Sequence, residues 1–130
     1  NNKNIKVFDF VEKSKLIKIY KKSDVLLIML KNKNILNMTI PSKFQNYLIH
    51  KKPILGWVSG QTKKIIEDNK CGLTANPNNI KEFENAVLKF YRLYKFKKLN
   101  NFSLNSYKLY KENYTNKKIC HLIIKSLKEC

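Results

Sequence analysis

Arginine, glycine and paired cysteines are scarce in this sequence. Only one of its 27 basic residues, Arg92, is an arginine, and its three glycines form neither a glycine-rich P-loop nor a G-x-G-x-x-G motif. The three cysteines include no C-x-x-C pair, and His50 and His121 have no neighbours at metal-ligand spacing. These absences argue against common nucleotide-binding loops, a metal site and a disulfide framework. The odd number of cysteines favours a reducing compartment.

Long apolar runs are also absent. The longest, such as residues 25–30, are far too short to span a bilayer, and no signal peptide is visible. With 130 residues, 43% of them hydrophobic, the chain is expected to be a single domain, 1–130, with its own core. Because it begins with Asn1 and not with methionine, we expect it to be part of a longer protein.

Acidic residues are few, and the net charge is +18. Lysine, asparagine and isoleucine are abundant, and AT-rich codons encode all three. An AT-rich genome is therefore a sufficient explanation for the high positive charge. The lysines are spread along the chain, whereas a protein that reads phosphates or bases usually relies on arginine for bidentate contacts. The charge therefore predicts a solvated surface that attracts anions in general. The alternative is a functional basic face for nucleic acid or anionic lipid.

The apolar pattern predicts strands that alternate with helices. Strands are expected at residues 5–11, 25–29, 53–58 and 71–75, and helices at 12–22, 42–50, 61–69, from 79 onward, 104–113 and 116–129. The run 25–29 is typical of a parallel strand buried on both faces, and residues 31–38 are expected to form a loop. This order predicts an α/β fold with a Rossmann-like parallel sheet and helices on both faces.

Two of the later helices carry clear sequence signals. Asn79 followed by Glu82 predicts a capping box at the start of the first, and Thr115 is expected to begin the last. In the first, the residues expected to face the core are Ile80, Phe83, Val87, Phe90, Tyr91 and Tyr94. In the last, they are Ile119, Leu122, Ile123 and Leu127.

Two predicted helix starts could form a pocket for an anion. Pro41-Ser42-Lys43 precedes one helix, whose free N–H groups and positive end favour an anion, and Lys43 adds a full charge. The Ser42 hydroxyl could either cap the helix or donate to a phosphate oxygen. In Ser59-Gly60-Gln61-Thr62, glycine allows backbone to approach a ligand closely. Each segment alone is more typical of an ordinary cap or turn. Ligands of open α/β sheets, however, bind at the carboxyl ends of the strands, where both segments are expected to lie, and together they could face one diphosphate.

Other catalytic patterns are missing. Asp9, Asp24 and Asp68 form no Asp-x-Asp metal clamp, and there is no G-x-S-x-G. The neighbouring Glu67 and Asp68 are more typical of an exposed helix face than of an acid–base pair. The catalytic residues are therefore unknown, and no metal site is predicted.

Several short motifs follow one another in a recognisable order. They are Tyr20-Lys-Lys-Ser-Asp24-Val-Leu-Leu27, Thr39-Ile-Pro-Ser-Lys-Phe-Gln-Asn-Tyr47, Lys52-Pro-Ile-Leu55, Gly60-Gln61, Cys71-Gly-Leu73 and Glu112-Asn-Tyr-Thr115. In this order and at these spacings, beginning near Ile5, they resemble the carboxy-terminal domain of family 4 glycosyltransferases of the GT-B fold. The likeness is greatest to the branch that builds bacterial surface polysaccharides.

The resemblance implies that this chain is the donor-binding half of a GT-B enzyme and that the amino-terminal acceptor domain is not included. Such enzymes are typically metal-independent, retain the anomeric configuration and need no cofactor. They transfer a sugar from a nucleotide-diphosphate sugar, here expected to be a UDP-sugar, to a glycan or lipid-linked acceptor. We expect the isolated chain to be inactive. The expected location is the cytoplasm, with peripheral contact to the inner face of an anionic membrane, and nucleic acid is not expected as a partner.

The resemblance also assigns roles to individual residues. Ser42 and Lys43 would contact the donor diphosphate, and Gly60 and Gln61 would lie beside the donor sugar and phosphates. Asn46 stands where the family usually has a glutamate that holds the nucleotide ribose. A carboxylate accepts from both ribose hydroxyls as a charged acceptor, whereas asparagine offers one neutral carbonyl, so the grip should weaken. The next residue of the motif, Tyr47, is also predicted to belong to the donor site.

Two further positions depart from the family pattern. Asp9 stands where the family has a glycine at the end of a strand near the base, and Lys51 stands where it has a glycine before Lys-Pro. These changes fit either drift in an AT-rich genome or a weakened donor site. The alternative function is a non-catalytic α/β module of the same fold that binds nucleic acid or anionic membrane through its basic surface.

Overall fold

Three short parallel strands lie side by side at the centre of the fold. The structure is a computed structural model, and it describes residues 3–128. The strands β1, β2 and β3 pair in the order of the chain, with Leu26 opposite Ile54 and Ile54 opposite Gly72. In the described residues the elements are α1 (Lys13–Lys22), β1 (Leu26–Met29), α2 (Asn34–Asn37), α3 (Ser42–Ile49), β2 (Ile54–Trp57), α4 (Gly60–Asp68), β3 (Gly72–Ala75), α5 (Ile80–Lys95), α6 (Asn100–Asn113) and α7 (Asn116–Lys128).

One face of the sheet is covered by α3, α4 and α6. Phe44 and Leu48 of α3 and Ile66 of α4 are fully buried and pack with Ile54 of the central strand. Leu109 of α6 completes this cluster. Gly72 is required here, because a Cβ on it would lie 1.9 Å from the carbonyl oxygen of Ile54 in the neighbouring strand. This face therefore holds the larger of the two cores.

The opposite face is covered by α5. Ala86 and Phe90 of α5 pack with Leu55 of the central strand, and Leu73 of β3 lies against them. Because α5 lies mainly over β2 and β3, side chains of β1 on this face stay in contact with solvent. The α/β fold, with a parallel sheet between helices on both faces, is confirmed.

Three predictions for the first part of the chain are wrong. Residues 5–11 form no strand, since they lie outside the sheet and no strand within residues 3–128 pairs with them; Phe10 is 94% exposed. The strand predicted at residues 25–29 is not buried on both faces, because Leu27 and Met29 are 42% and 52% exposed. The predicted loop 31–38 contains the short helix α2.

The apolar face of α5 was predicted only in part. Its cap is confirmed, because the Glu82 amide donates to Asn79 Oδ1 at 3.0 Å. Of the six residues expected to face the core, Phe90 is buried and Phe83 is partly buried, whereas Ile80, Val87, Tyr91 and Tyr94 are exposed. The apolar arc of the helix is wider than the sheet can cover. The sheet contacts only the side of the helix that carries Ala86 and Phe90.

The prediction that α7 is buried is wrong. Its start is confirmed, because the Lys118 amide lies 3.4 Å from Thr115 Oγ1 and can donate to it. However, none of its described residues is buried. The predicted helix end at residue 129, like Asn1 and Cys130, lies outside the described residues. The helix α6 begins earlier than predicted, at Asn100.

None of the helices within residues 3–128 combines the length and the apolar character that crossing a bilayer requires.

Candidate functional site

The two helix starts singled out in the sequence lie at one edge of the sheet. α4 begins three residues after β2 ends, and α3 follows β1 through the short helix α2. Since the strands are parallel, their carboxyl ends share this edge, and this is the edge where open α/β sheets bind ligands. The fold therefore gives both starts the position that a ligand site requires.

Direct contacts join the start of α4 to the segment that leads into α3. Thr62 is fully buried, and its hydroxyl donates to the carbonyl of Thr39 at 2.9 Å. Gly60 has a φ of +63°, and a Cβ on it would lie 2.0 Å from the carbonyl oxygen of Asn37. Thr39 stands three residues before Ser42. The close approach that the glycine allows is thus made by the chain's own backbone, and it brings the two helix starts together.

A polar cluster holds this junction in place. The Ser59 hydroxyl lies 2.5 Å from Asn37 Oδ1 and 3.3 Å from Asn32 Oδ1, and Asn37 Nδ2 donates to Asn32 Oδ1 at 2.9 Å. Sequence reasoning missed both asparagines. The signal available was the clustering of asparagine after a buried strand, but asparagine is abundant throughout this chain, so the signal was weak.

Ser42 and Lys43 occupy the first turn of α3 and are exposed. The N-cap is Pro41, whose carbonyl accepts from the Phe44 amide at 2.9 Å, so Ser42 is not the cap of this helix. Helix geometry leaves the first amides of the turn without intrahelical acceptors. Together with the Lys43 ammonium, these amides form a positively polarised surface that can accept an anion.

Asn46 and Tyr47 point to different surroundings. Asn46 is exposed, and its carbonyl accepts from His50 at 2.6 Å when Nδ1 carries the proton. Tyr47 is buried; its hydroxyl donates to the Leu27 carbonyl at 3.2 Å and its ring meets that of Tyr20 edge-on. Burial, and secondarily Tyr20, raises the pKa of Tyr47. Tyr47 therefore anchors α3 to β1, and its predicted contact with the donor stays a prediction.

The remaining positions singled out in the sequence lie at three different places in the fold. Gly60 and Gln61 are exposed at the start of α4. Lys51 follows the end of α3 with a φ of 55°, and its ammonium lies 4.3 Å from the centre of the Tyr107 ring. Asp9 lies in the exposed segment before α1, beside a cleft of about 470 Å³ whose lining residues run from Phe8 to Ile19. Apart from the buried Tyr47, the residues predicted to bind the donor are exposed.

Comparison with known proteins identifies the family of this chain. The family model described as Glycosyl transferases group 1 matches residues 1–109. The chain belongs to the group 1 glycosyltransferases. The substrates of this family are a nucleotide-sugar donor and an acceptor. The match ends inside α6 and does not include α7. No curated protein and no solved structure matches the chain.

Proposed function

We propose that this group 1 glycosyltransferase domain binds the diphosphate of a nucleotide-sugar donor at the starts of α3 and α4. The observation that carries the proposal is the junction between them, formed by Thr62 against Thr39 and Gly60 against Asn37. One diphosphate could then contact both helix starts. Its charge is matched by the first-turn amides of α3 and by Lys43.

The same residues would assist the transfer of the sugar. When the bond between the sugar and the diphosphate breaks, negative charge develops on the leaving diphosphate. In a metal-independent, retaining reaction of the family 4 type, protein groups must stabilise that charge. Amides and an ammonium that are already oriented can do so without reorganising. Ser42 and Lys43 would bind the diphosphate, and Gly60 and Gln61 would lie beside the sugar and phosphates.

The part of the site that would contact the donor's ribose is expected to bind it weakly. Asn46 lies one helical turn after Ser42 and Lys43 on α3 and is exposed, which suits contact with a ribose of the preferred UDP-sugar. Its neutral carbonyl would hold the two hydroxyls less firmly than a glutamate. This proposal makes weak donor affinity an expected property of the wild-type protein.

The full enzyme is proposed to contain a second, amino-terminal α/β domain that binds the acceptor. Catalysis would occur in the cleft between the domains, which explains why the donor surface in this chain is open. In this proposal the acceptor is a glycan or a lipid-linked precursor of a cell-surface polysaccharide. The upstream coding sequence tests the proposal directly: a reading frame that starts just before Asn1, with no second domain, would contradict it.

Donor binding is tested by titration calorimetry with UDP and UDP-sugars on the full-length protein. We expect Lys43→Ala to weaken UDP binding by about 10- to 100-fold, the value of one charge-assisted hydrogen bond. Lys89→Ala, which removes an exposed lysine from α5, is the matched control and should leave binding unchanged. Asn46→Glu should tighten binding, whereas Asn46→Gln should not. The absence of nucleotide binding by well-folded protein, or equal affinities for Lys43→Ala and Lys89→Ala, would refute the proposal.

A further inference from the structure

Thr62 is a fully buried polar residue in the first turn of α4. Its hydroxyl donates to the carbonyl of Thr39, 23 positions earlier in the sequence, at 2.9 Å. A threonine in a helix commonly directs its hydroxyl to a carbonyl one turn earlier in the same helix, whereas this hydroxyl binds a different segment. Valine is branched in the same way, so packing alone does not explain a threonine here. Because this chain itself encloses the hydroxyl, a second domain could not replace the contact.

Ser59 forms a second connection between the same two segments. It is the N-cap residue of α4, where a serine usually accepts from an amide of the first turn, but its side chain forms no cap hydrogen bond. Its hydroxyl donates instead to Asn37 Oδ1 at 2.5 Å. The first-turn amides of α4 are thereby left without a side-chain cap, as are those of α3 after Pro41. The hydroxyls of Ser59 and Thr62 therefore connect α4 to the segment before α3.

The segment between α2 and α3 is stiff enough to transmit these contacts. The amide and the hydroxyl of Thr39 both donate to the Leu36 carbonyl, at 3.3 and 3.1 Å, so this residue is held by α2 as well as by α4. Only Ile40 and Pro41 separate it from Ser42. Proline has a restricted φ, here −67°, and it also restricts the residue before it. A displacement of Thr39 would therefore move the first turn of α3.

We infer that Thr62, with Ser59 beside it, is a positioning residue of the donor site. Neither side chain needs to touch the donor. Their hydroxyls hold the first turn of α3, with Ser42 and Lys43, at a fixed distance from the start of α4, so that one diphosphate meets both helices. Groups that are already arranged bind without the cost of being ordered. This inference rests on the donor site proposed above, and it names the contacts that arrange that site before the donor binds.

Titration calorimetry with UDP on the full-length protein, together with urea unfolding, tests this role. Thr62→Val keeps the branched shape but removes the donor, and UDP should bind about three- to tenfold more weakly, the factor of one net hydrogen bond. Thr62→Ser keeps the hydroxyl and should bind UDP almost as the wild type does, although its lost methyl group lowers stability. A purely structural role would lower the stability of both variants and leave both UDP affinities unchanged, and this result would overturn the inference.

The matched control is Ser106→Ala. The Ser106 hydroxyl is also fully buried, but it bonds at the opposite edge of the sheet. Its loss should lower the midpoint of urea unfolding and leave the UDP affinity at the wild-type value. If Thr62→Val does not fold, Ser59→Ala tests the junction at its partly exposed side, since it removes the bond to Asn37. UDP should then bind about two- to fivefold more weakly, and unchanged affinity would overturn the inference.

A double-mutant cycle shows whether Thr62 acts through the first turn of α3. Thr62→Val should cost less UDP affinity in a Lys43→Ala protein than in the wild type, because part of what Thr62 positions is already missing. Equal losses in the two backgrounds would overturn the inference. If Lys43→Ala weakens UDP binding and Thr62→Val does not, the donor site stands and the positioning role alone is wrong. A folded wild-type protein that does not bind UDP would overturn both.

Discussion

At the scale of single residues, three lysines take a backbone conformation that usually belongs to glycine. Lys51, Lys70 and Lys97, each the second residue after α3, α4 and α5, have φ values of 55°, 49° and 54°. In each case the next amide donates to the carbonyl five residues earlier, for example Lys98 to Leu93 at 2.8 Å. This is the Schellman motif, in which glycine avoids the steric cost of the left-handed region.

Lys97→Gly is expected to stabilise the protein. Glycine removes the left-handed strain at this position but makes the unfolded chain more flexible, so the net gain should be about 0.5–1 kcal/mol in the free energy of unfolding. Lys89→Gly, in the middle of α5 and also exposed, should instead cost about 1 kcal/mol. Urea unfolding of both variants measures the difference. Equal destabilisation would show that residue 97 is not in the left-handed region.

At the scale of elements, a buried hydroxyl of α6 forms hydrogen bonds to the backbone that leads into the sheet. Ser106 is fully buried, and its Oγ lies 2.9 Å from the Lys52 carbonyl and 3.3 Å from the Cys71 carbonyl. Lys52 lies two residues before β2 and Cys71 one residue before β3, at the sheet edge opposite to the candidate site. This edge of the sheet is thus tied to α6.

Removing this hydroxyl should loosen α6. We expect Ser106→Ala to lower the free energy of unfolding by about 1–2 kcal/mol, because it removes a buried hydrogen bond and leaves carbonyl groups with fewer partners. Ser103→Ala is the matched control; that hydroxyl donates within α6, to the Leu99 carbonyl at 3.4 Å, and its loss should cost much less. If the two variants are equally stable in urea, Ser106 does not anchor the helix.

At the scale of the whole molecule, the larger core should make the fold sensitive to high pH. Burial raises the pKa of the Cys71 thiol from 9.0 to about 12 and also raises the pKa of Tyr114. Below about pH 9 the folded and unfolded states both keep the thiol protonated, so its contribution is fully present. Between pH 9 and 12 only the unfolded state loses the proton, so stability falls as pH rises.

Cys71→Ala isolates this effect. The variant is expected to be less stable than the wild type at about pH 8, and the gap should narrow by roughly 1–3 kcal/mol by about pH 11, since each pKa unit is worth about 1.4 kcal/mol. The lysines and the other tyrosines affect both proteins alike and cancel, whereas Tyr114, whose pKa is raised by burial and secondarily by Cys71, adds a smaller difference. Urea unfolding under reducing conditions across this pH range gives the gap. A gap for Cys71→Ala that does not change with pH would contradict the prediction.

Much of the fold could be predicted from local patterns. The cap formed by Asn79, the start of α7 after Thr115 and the strands ending near Trp57 and Ala75 depend on hydrogen bonds and periodicities within a few residues. Such local interactions can be predicted from the neighbouring sequence. The ordered motifs likewise indicated the glycosyltransferase family, and the family match confirms it.

The tertiary structure alone decided which apolar surfaces are covered. Residues 5–11 have the composition of a strand but pair with nothing in the described chain, and Leu27, Tyr91 and Ile123 belong to apolar faces that stay exposed. It also decided that Gly60 lies against the Asn37 carbonyl and that the side chain of Tyr47 is buried between α3 and β1. The physical reason is that periodicity shows which side of an element is apolar, whereas burial depends on elements far away in the sequence that must reach that side.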